Sequence, residues 1–537
     1  MARLSCQMKF LRRGATVSAI AAVAITVLWP AGPGAQQRFD VLLRGGQVLD
    51  GSGSPARRAD VGVTGDRIAA VGDLGAATAT TVLDVSARFV TPGFIDVHSH
   101  AGPGLATADL KHGQPVLAQG ITTVLVNPDG GGPVDLATQR AGYDRDGIGL
   151  NVGLLVPHGS VRREVLGMSD RDPTPAELTR MVGLVRDGMR AGAFGLSSGL
   201  YYAPGSYSTT AEVIAMATAA AEGGGSYTSH IRDEADYGVG VVAAVDEVIT
   251  IAETAGVTGV VTHMKALGPA SWGLSKTLVA HIEAARRRGV KVFADQYPYE
   301  ASGTGIVGAL IPRWAQVGGR DVMQRRITGE LRGKVRDEVK ANLARRGGAE
   351  TFLVAEYTPD PTIEGQRLSV LAAKAGLAPE EYALTLLEKD DAGLVSFNMA
   401  EDDIGLIMRQ PWTMTCTDGG LQPVTEGKPH PRAYGAFPRK LARYVRERGV
   451  VDLPFAIRSM TALSAEVFGL KDRGVIRPGA FADLVAFDLA AVAEAATYEQ
   501  PHQLARGLDT IVVNGRVVRA AGTFANVLPG RVLRLER

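Results

Sequence analysis

The 537-residue chain is 45% hydrophobic, enough to bury a large core, and a barrel absorbs ~250 residues or more as one unit. Its 57 Lys and Arg balance 56 Asp and Glu, leaving a formal net charge of +1. So even a balance supplies no field to gather nucleic acid or an anionic membrane surface, and nucleic-acid binding is set aside.

Residues 1–35 read as a signal peptide. Lys9, Arg12 and Arg13 form a basic start, Ala15 to Trp29 is almost unbroken apolar, and small or helix-breaking residues follow up to Ala35. The apolar run is shorter than the ~20 residues of a spanning helix and lacks a basic flank to stop transfer. Cleavage is expected, giving an exported, periplasmic or secreted protein with no stable membrane insertion. The Arg12-Arg13 pair is compatible with twin-arginine export. Cys6 leaves with this segment, so Cys416 is the remaining thiol and no intrachain disulfide is expected. Cys416 reads as a small buried hydrophobe rather than a nucleophile.

Short strands come next: Phe39 to Leu49, ending in an Asp50-Gly51 turn, then Val61 to Val63, Arg67 to Val71 and Thr81 to Val85. The same texture returns at Phe481 to Phe487 and Thr510 to Val518, the latter folded about Asn514-Gly515. Residues 36–90 and 466–537 are therefore expected to form one small β-sandwich from both termini. Between them, over 91–465, apolar runs alternate with helical windows. Strands are expected at Phe89 to Val97, Thr122 to Val126, Gly149 to Val156, Gly192 to Ser197, Ser226 to Ser229, Val257 to Thr262, Lys291 to Asp295 and Trp412 to Thr417. Helices are expected over Pro175 to Ala191, Thr210 to Glu222, Gly238 to Ala255 and Ser275 to Arg288. This alternation predicts an α/β fold, a (β/α)8 TIM-like barrel with its chemistry at the carboxyl ends of the strands. The stretch at about 303–350 breaks the rhythm. It is long, helical and charged, and is expected to be a lid inserted over the mouth.

An apolar strand ending in His98-Ser-His100 carries the strongest chemical signal. In an extended chain, alternate residues point the same way, so both imidazoles can face one metal. Later strand ends repeat the theme with His230, His263 and, before two glycines, Asp418. Of nine histidines, four fall at strand ends on one rim. Imidazole and carboxylate ligands suit Zn²⁺, which lowers the pKa of bound water to about 7 and polarises a carbonyl. A carboxylate beside that water can take its proton and return it to a leaving nitrogen, and Asp418 is the expected general acid/base. Ser197 and Ser198 lie in Gly195-Leu-Ser-Ser-Gly199, but nothing in the chain order makes either a nucleophile.

A family resemblance rests on Pro92-Gly-Phe-Ile-Asp-Val-His-Ser-His100, Gly120-Ile-Thr-Thr-Val124, Gly195 to Gly205, Ser229-His-Ile-Arg-Asp-Glu234 and Thr262-His-Met-Lys265. It continues through Asp295-Gln-Tyr-Pro-Tyr299, Thr417-Asp-Gly419, His430 to Arg439 and Gly474 to Val485. In this order, spanning nearly the full mature length, the chain resembles the amidohydrolase superfamily and within it the D-aminoacylase (N-acyl-D-amino-acid deacylase) branch. The resemblance implies a metal-dependent hydrolase barrel with a β-sandwich and zinc held mainly by His230 and His263. It also implies a second, weaker site at His98 and His100, with Asp418 as acid/base. The branch usually carries Gly-Asn-Cys-Gly after Gly-x-Thr-Thr-Val, its cysteine a zinc ligand. Here Val126-Asn-Pro-Asp129-Gly130 sets Asp129 in that place. Asp129 either bridges two ions as a harder oxygen ligand or merely shapes a glycine-rich turn. One or two zinc ions are expected, with other divalent metals as alternatives.

On the substrate side, Lys265, two residues beyond His263, suits a free α-carboxylate, and Arg232 is its competitor. Tyr202 and Tyr297 resemble family positions that bind substrate or polarise its carbonyl. The expected reaction is hydrolysis of the amide of an N-acyl amino acid, of D configuration, to a carboxylate and a free amino acid. A dipeptidase or cyclic-amide hydrolase of the same superfamily is the near alternative. A non-catalytic exported binding protein on a decayed barrel is the distant one, kept open by Asp129. The partner is a small molecule in either catalytic reading, and oligomeric state is not legible.

Overall fold

The structure is a computed structural model, and it describes residues 37–536; the signal peptide read over 1–35, with Cys6, lies outside them. Among the described residues, eight parallel strands form a ring: Phe94–Asp96, Ile121–Val126, Asn151–Leu154, Gly195–Gly199, Ser226–His230, Thr258–Val261, Val292–Gln296 and Thr413–Thr415. The third is continued by Val156–Pro157, which pairs with Leu196 and Ser197. Last and first strands are stitched by the Thr417 and Asp418 amides, which donate to Asp96 Oδ1 at 2.9 Å and to the His98 carbonyl at 3.0 Å. Nearly every residue of these strands is buried. Such strands, covered on both faces, favour apolar runs, although Gly195–Gly199 and Ser226–His230 bury serines and a threonine. The outer helices bury one stripe each; Val241–Ala255 turns Val241, Val245, Val248 and Ala252 inward. Thr174 and Glu177 form a reciprocal capping box that starts the helix Pro175–Arg190.

The termini share one nine-stranded sheet. Phe89–Pro92 joins its halves, pairing in parallel with Arg38–Val48 and antiparallel with Leu484–Phe487. Val41, Val61, Val63, Ile476, Leu484 and Val512 fill its core. The single strand expected over Phe89 to Val97 is thus two strands in two sheets. They part at Gly93, where a Cβ would stand 2.1 Å from Thr122 Oγ1, so only glycine lets the chain pass that close.

The inserted unit is larger than the lid expected at 303–350. Ala301–Gly305, Phe352–Glu356 and Gly393–Phe397 form a separate antiparallel sheet, and its helices run to Pro379–Lys389. It has a core of its own, built on Ile306, Leu310, Ile327, Val339, Phe352 and Leu384. The charged run reaches partners in the second half: Arg332 pairs with Glu381 at 2.9 Å and Glu388 at 2.5 Å. Those partners are distant in sequence, which is why the charges marked only part of the unit. No helix of the described residues is long and apolar enough to cross a membrane.

Candidate metal centre and catalytic cavity

The carboxyl ends of the barrel strands converge on one cluster. His98 and His100 follow the first strand, Asp129 the second, His230 ends the fifth, His263 follows the sixth and Asp418 the eighth. Two donor groups emerge, His98–His100–Asp129–Asp418 and Asp129–His230–His263, with all ligand atoms of each within 4.8 Å of one another. Asp129 belongs to both. Its Oδ1 lies 3.3 Å from His98 Nε2, 3.6 Å from His230 Nδ1 and 3.5 Å from His263 Nε2, and its Oδ2 lies 3.2 Å from His100 Nε2. Asp418 Oδ1 completes the first group, 3.2 Å from His100 Nε2.

Backbone strain marks the same residues. Asn127, Asp129, His263 and Asp418 have φ of 65°, 53°, 34° and 49°, a left-handed conformation that costs a side-chain-bearing residue free energy and persists where the surroundings impose it. At Asp129 the imposing contacts are specific. Ser197 Oγ donates to the Asn127 carbonyl at 2.5 Å and accepts from the Gly130 amide at 3.3 Å. At His263, Asp295 Oδ1 accepts from the backbone amide at 2.6 Å.

The electrostatics favour a cation. Burial would raise the Asp129 carboxyl, but His98 first and then the neighbouring imidazoles of His100, His230 and His263 hold it well below its usual range. Asp418 is likewise raised by burial and brought well below it, chiefly by Arg432 and His263. Burial lowers His100, yet Asp129 and Asp418 carry it to about 10. His263, lowered by burial and Lys265, is raised to about 9 by Asp418, Asp129 and Glu234. The ionised carboxylates draw positive charge to the cluster, which in the metal-free protein is supplied by protons on His100 and His263 that a metal ion would displace. A divalent ion fits the cluster on the donors themselves: His98 Nε2, Asp129 Oδ1 and His230 Nδ1 are buried with no hydrogen-bond partner.

A cavity of about 1010 Å³ opens over the cluster, lined by His100, Asp129, Tyr202, His230, Lys265, Tyr297, Arg346, Asp418 and Arg432, among others. The cavity is large enough for an acylated amino acid.

A model of the amidohydrolase family matches residues 81–519. The chain belongs to the amidohydrolase family. Within it, the chain falls in the D-aminoacylase branch: it is 35% identical over 529 residues to the N-acyl-D-glutamate deacylase of Alcaligenes xylosoxydans xylosoxydans, covering 93% of this chain and 98% of that protein. A crystal structure of N-acyl-D-glutamate deacylase from Bordetella bronchiseptica, complexed with zinc and a phosphonate inhibitor that mimics the tetrahedral intermediate, superposes with a TM-score of 0.80. It is 35% identical, covering 93% of this chain and all of that one. A D-aminoacylase structure concerned with its binuclear metal centre gives 0.79 and 33% identity over 92% of this chain and all of its own.

Among the site residues of this amidohydrolase, one expectation changes. Arg232 is not at the cavity: its guanidinium is spent on Glu247, at 2.7 and 2.8 Å, and the Ser206 carbonyl. Lys265 lines the cavity, but its ammonium lies 2.5 Å from Glu234 Oε1 and 2.6 Å from His263 Nδ1. Glu234 Oε1 is itself 3.1 Å from His263 Nδ1. Lys265 and Glu234 therefore orient the imidazole whose other nitrogen faces Asp129. Glu234 was readable in the sequence as the acid four residues after His230; its partnership was not. Arg432 was missed altogether. It sits inside the motif opened by His430, is 7% exposed, and places its guanidinium 2.7 Å from Asp418 Oδ2 and 4.6 Å from the Tyr297 ring centre. The Tyr202 ring stands 4.7 Å from His230 and its hydroxyl donates to Thr304 Oγ1 at 3.3 Å. The Tyr297 hydroxyl is buried without a partner. Cys416 is fully buried and burial pushes its thiol up, which removes it as a nucleophile.

Proposed function

We propose that the chain is a zinc-dependent deacylase of N-acyl-D-amino acids, cleaving the amide to a carboxylate and a free D-amino acid. One observation carries the reading: a carboxylate shared by two metal-type donor groups, with a second carboxylate, Asp418, facing the same cavity. His230 and His263 would hold one ion with Asp129, and His98 and His100 a second, with Asp129 bridging. Bound zinc supplies Lewis acidity to the scissile carbonyl and lowers the pKa of water.

The rest follows from the chain's own groups. Asp418 Oδ1 faces the cluster and accepts the proton that water loses as it attacks. Asp418 then delivers that proton to the leaving nitrogen, so water's oxygen ends on the carboxylate and both protons on the amine. Arg432 anchors the substrate α-carboxylate through its planar fork and meanwhile keeps Asp418 ionised. The buried Tyr297 hydroxyl is placed to donate to a substrate oxygen, and Tyr202 walls the His230 side. The D preference is carried over from the relatives. Export through residues 1–35 belongs to the same reading and is checked by the N-terminal sequence of the exported protein.

The test is metal analysis of the mature protein beside release assays on paired N-acetyl-D- and N-acetyl-L-amino acids. Bound zinc with D-selective release is expected. Release from dipeptides or cyclic amides instead would overturn the substrate class, and absence of metal even after added zinc would overturn the reaction.

A further inference from the structure

Arg346 is a buried cation without an anion. It closes the helix Arg332–Arg345 of the inserted unit and is 2% exposed. Its Nε donates to the Tyr237 hydroxyl and its NH2 to the Tyr201 hydroxyl at 3.1 Å, while NH1 is buried with no partner at all. Among the described residues no carboxylate pairs with it; the neighbouring Asp236 is taken by Arg345 at 2.6 Å. The other deeply buried arginines differ. Arg162, Arg432, Arg439 and Arg473 each contact a carboxylate, and Arg519 donates to two carbonyls. A guanidinium taken out of water with an unused donor and no counter-charge is costly to keep. Arg346 keeps its place on the wall of the catalytic cavity.

Its position relative to the cluster is defined by Tyr201. That ring stacks on His230 with centres 5.2 Å apart, and its hydroxyl receives Arg346. Arg346 therefore lies one tyrosine beyond the His230 end of the cluster, whereas Arg432 stands at the Asp418 end. A second guanidinium, Arg313, covers the Tyr201 ring at 4.0 Å and adds to the positive field. The docking of this part of the inserted unit onto the barrel is close: a Cβ on Gly268 would meet the Arg345 carbonyl at 2.3 Å.

We infer that Arg346 binds a second carboxylate of the substrate, in addition to the α-carboxylate, and so selects dianionic N-acyl-D-amino acids. This rests on the deacylase reading and names its substrate class. The second carboxylate has two sources, an acidic amino-acid side chain or an acidic acyl group. The relative named for N-acyl-D-glutamate makes the side chain the first to try.

The experiment compares kcat/KM of the zinc-loaded wild type on N-acetyl-D-glutamate, N-acetyl-D-aspartate, N-succinyl-D-leucine and N-acetyl-D-leucine, then repeats it with Arg346→Met and Arg346→Lys. One of the dianionic substrates should exceed N-acetyl-D-leucine, and Arg346→Met should cut its kcat/KM by roughly 10- to 100-fold, mainly through KM, while sparing N-acetyl-D-leucine. Arg346→Lys should fall between, keeping the charge and losing the fork. The first two substrates winning identifies the side chain as the source, and the third identifies the acyl group. N-acetyl-D-leucine turned over as well as every dianion by the wild type would overturn the inference and leave the deacylase reading intact. Calorimetry of glutarate against butyrate on the same proteins needs no turnover. Tighter glutarate binding that Arg346→Met abolishes is expected, and equal binding of the two acids to the wild type overturns the inference even if no amide is cleaved.

Discussion

The barrel rim and the inserted unit build two walls of one cavity by opposite means. On the rim, five side chains crowd around Asp129, and Asp129, His263 and Asp418 are strained in backbone. The inserted unit has its own core and sheet, and it sends Ser302, Gly303, Thr304 and Arg346 to the cavity. Its guanidinium is relaxed in backbone and unsatisfied in charge. The difference separates the chemistry, which needs fixed positions on rigid strands, from substrate selection, which a separately folded unit can vary without disturbing the metal cluster.

Damage on the two sides should therefore differ in kind, not only in size. The largest effect belongs to Asp418→Asn, which keeps shape and metal but cannot accept a proton. A fall in kcat of about 10²- to 10⁴-fold with unchanged bound metal is expected, and near-normal turnover would remove Asp418 from its role. Metal affinity should come next and should depend on pH. His100 and His263 hold protons to about 10 and about 9 in the metal-free protein, and an ion must displace them. Affinity should then rise with pH between 6 and 8, by up to about a hundredfold per unit where two protons leave. A flat competition titration with a zinc chelator would refute that proton count.

Lys265→Met should act through His263 rather than on substrate. With Glu234 left half-paired and the imidazole less firmly held, metal affinity should drop roughly 10- to 100-fold, and KM measured at saturating zinc should move little. A KM effect at full metal occupancy would return Lys265 to the carboxylate-binding role first read for it. The smallest effect is expected from Gly268→Ala, which adds a methyl against the Arg345 carbonyl at a position with φ of 85°. It should shift the inserted unit and raise KM a few-fold for dianionic substrates while kcat and metal content stay constant.

Much of the barrel was legible because both of its periodicities are local. Buried parallel strands favour apolar runs, and helices such as Pro175–Arg190 and Thr210–Glu222 carry their caps and stripes locally. The histidines were legible for the same reason, each sitting at or just beyond the end of its strand. The split at Gly93 was not, since it is dictated by Thr122 on a neighbouring strand. Nor was the full inserted unit, whose strands Phe352–Glu356 and Gly393–Phe397 meet across some forty intervening residues of helix and loop.

The sequence by itself determined that a barrel carries imidazoles and carboxylates at its strand ends, because side-chain direction along a strand and the placement of strand ends follow from local pattern. Which of those groups share one ion, which cations are spent and which remain free were decided by tertiary structure alone. Lys265 and Arg232 look equally available as letters. One is bound to Glu234 and His263, the other to Glu247, and Arg346, with nothing in its surroundings to mark it in the sequence, is left with an unused donor at the cavity wall. Charge neutralisation is a through-space property, so only the folded chain settles where it is incomplete.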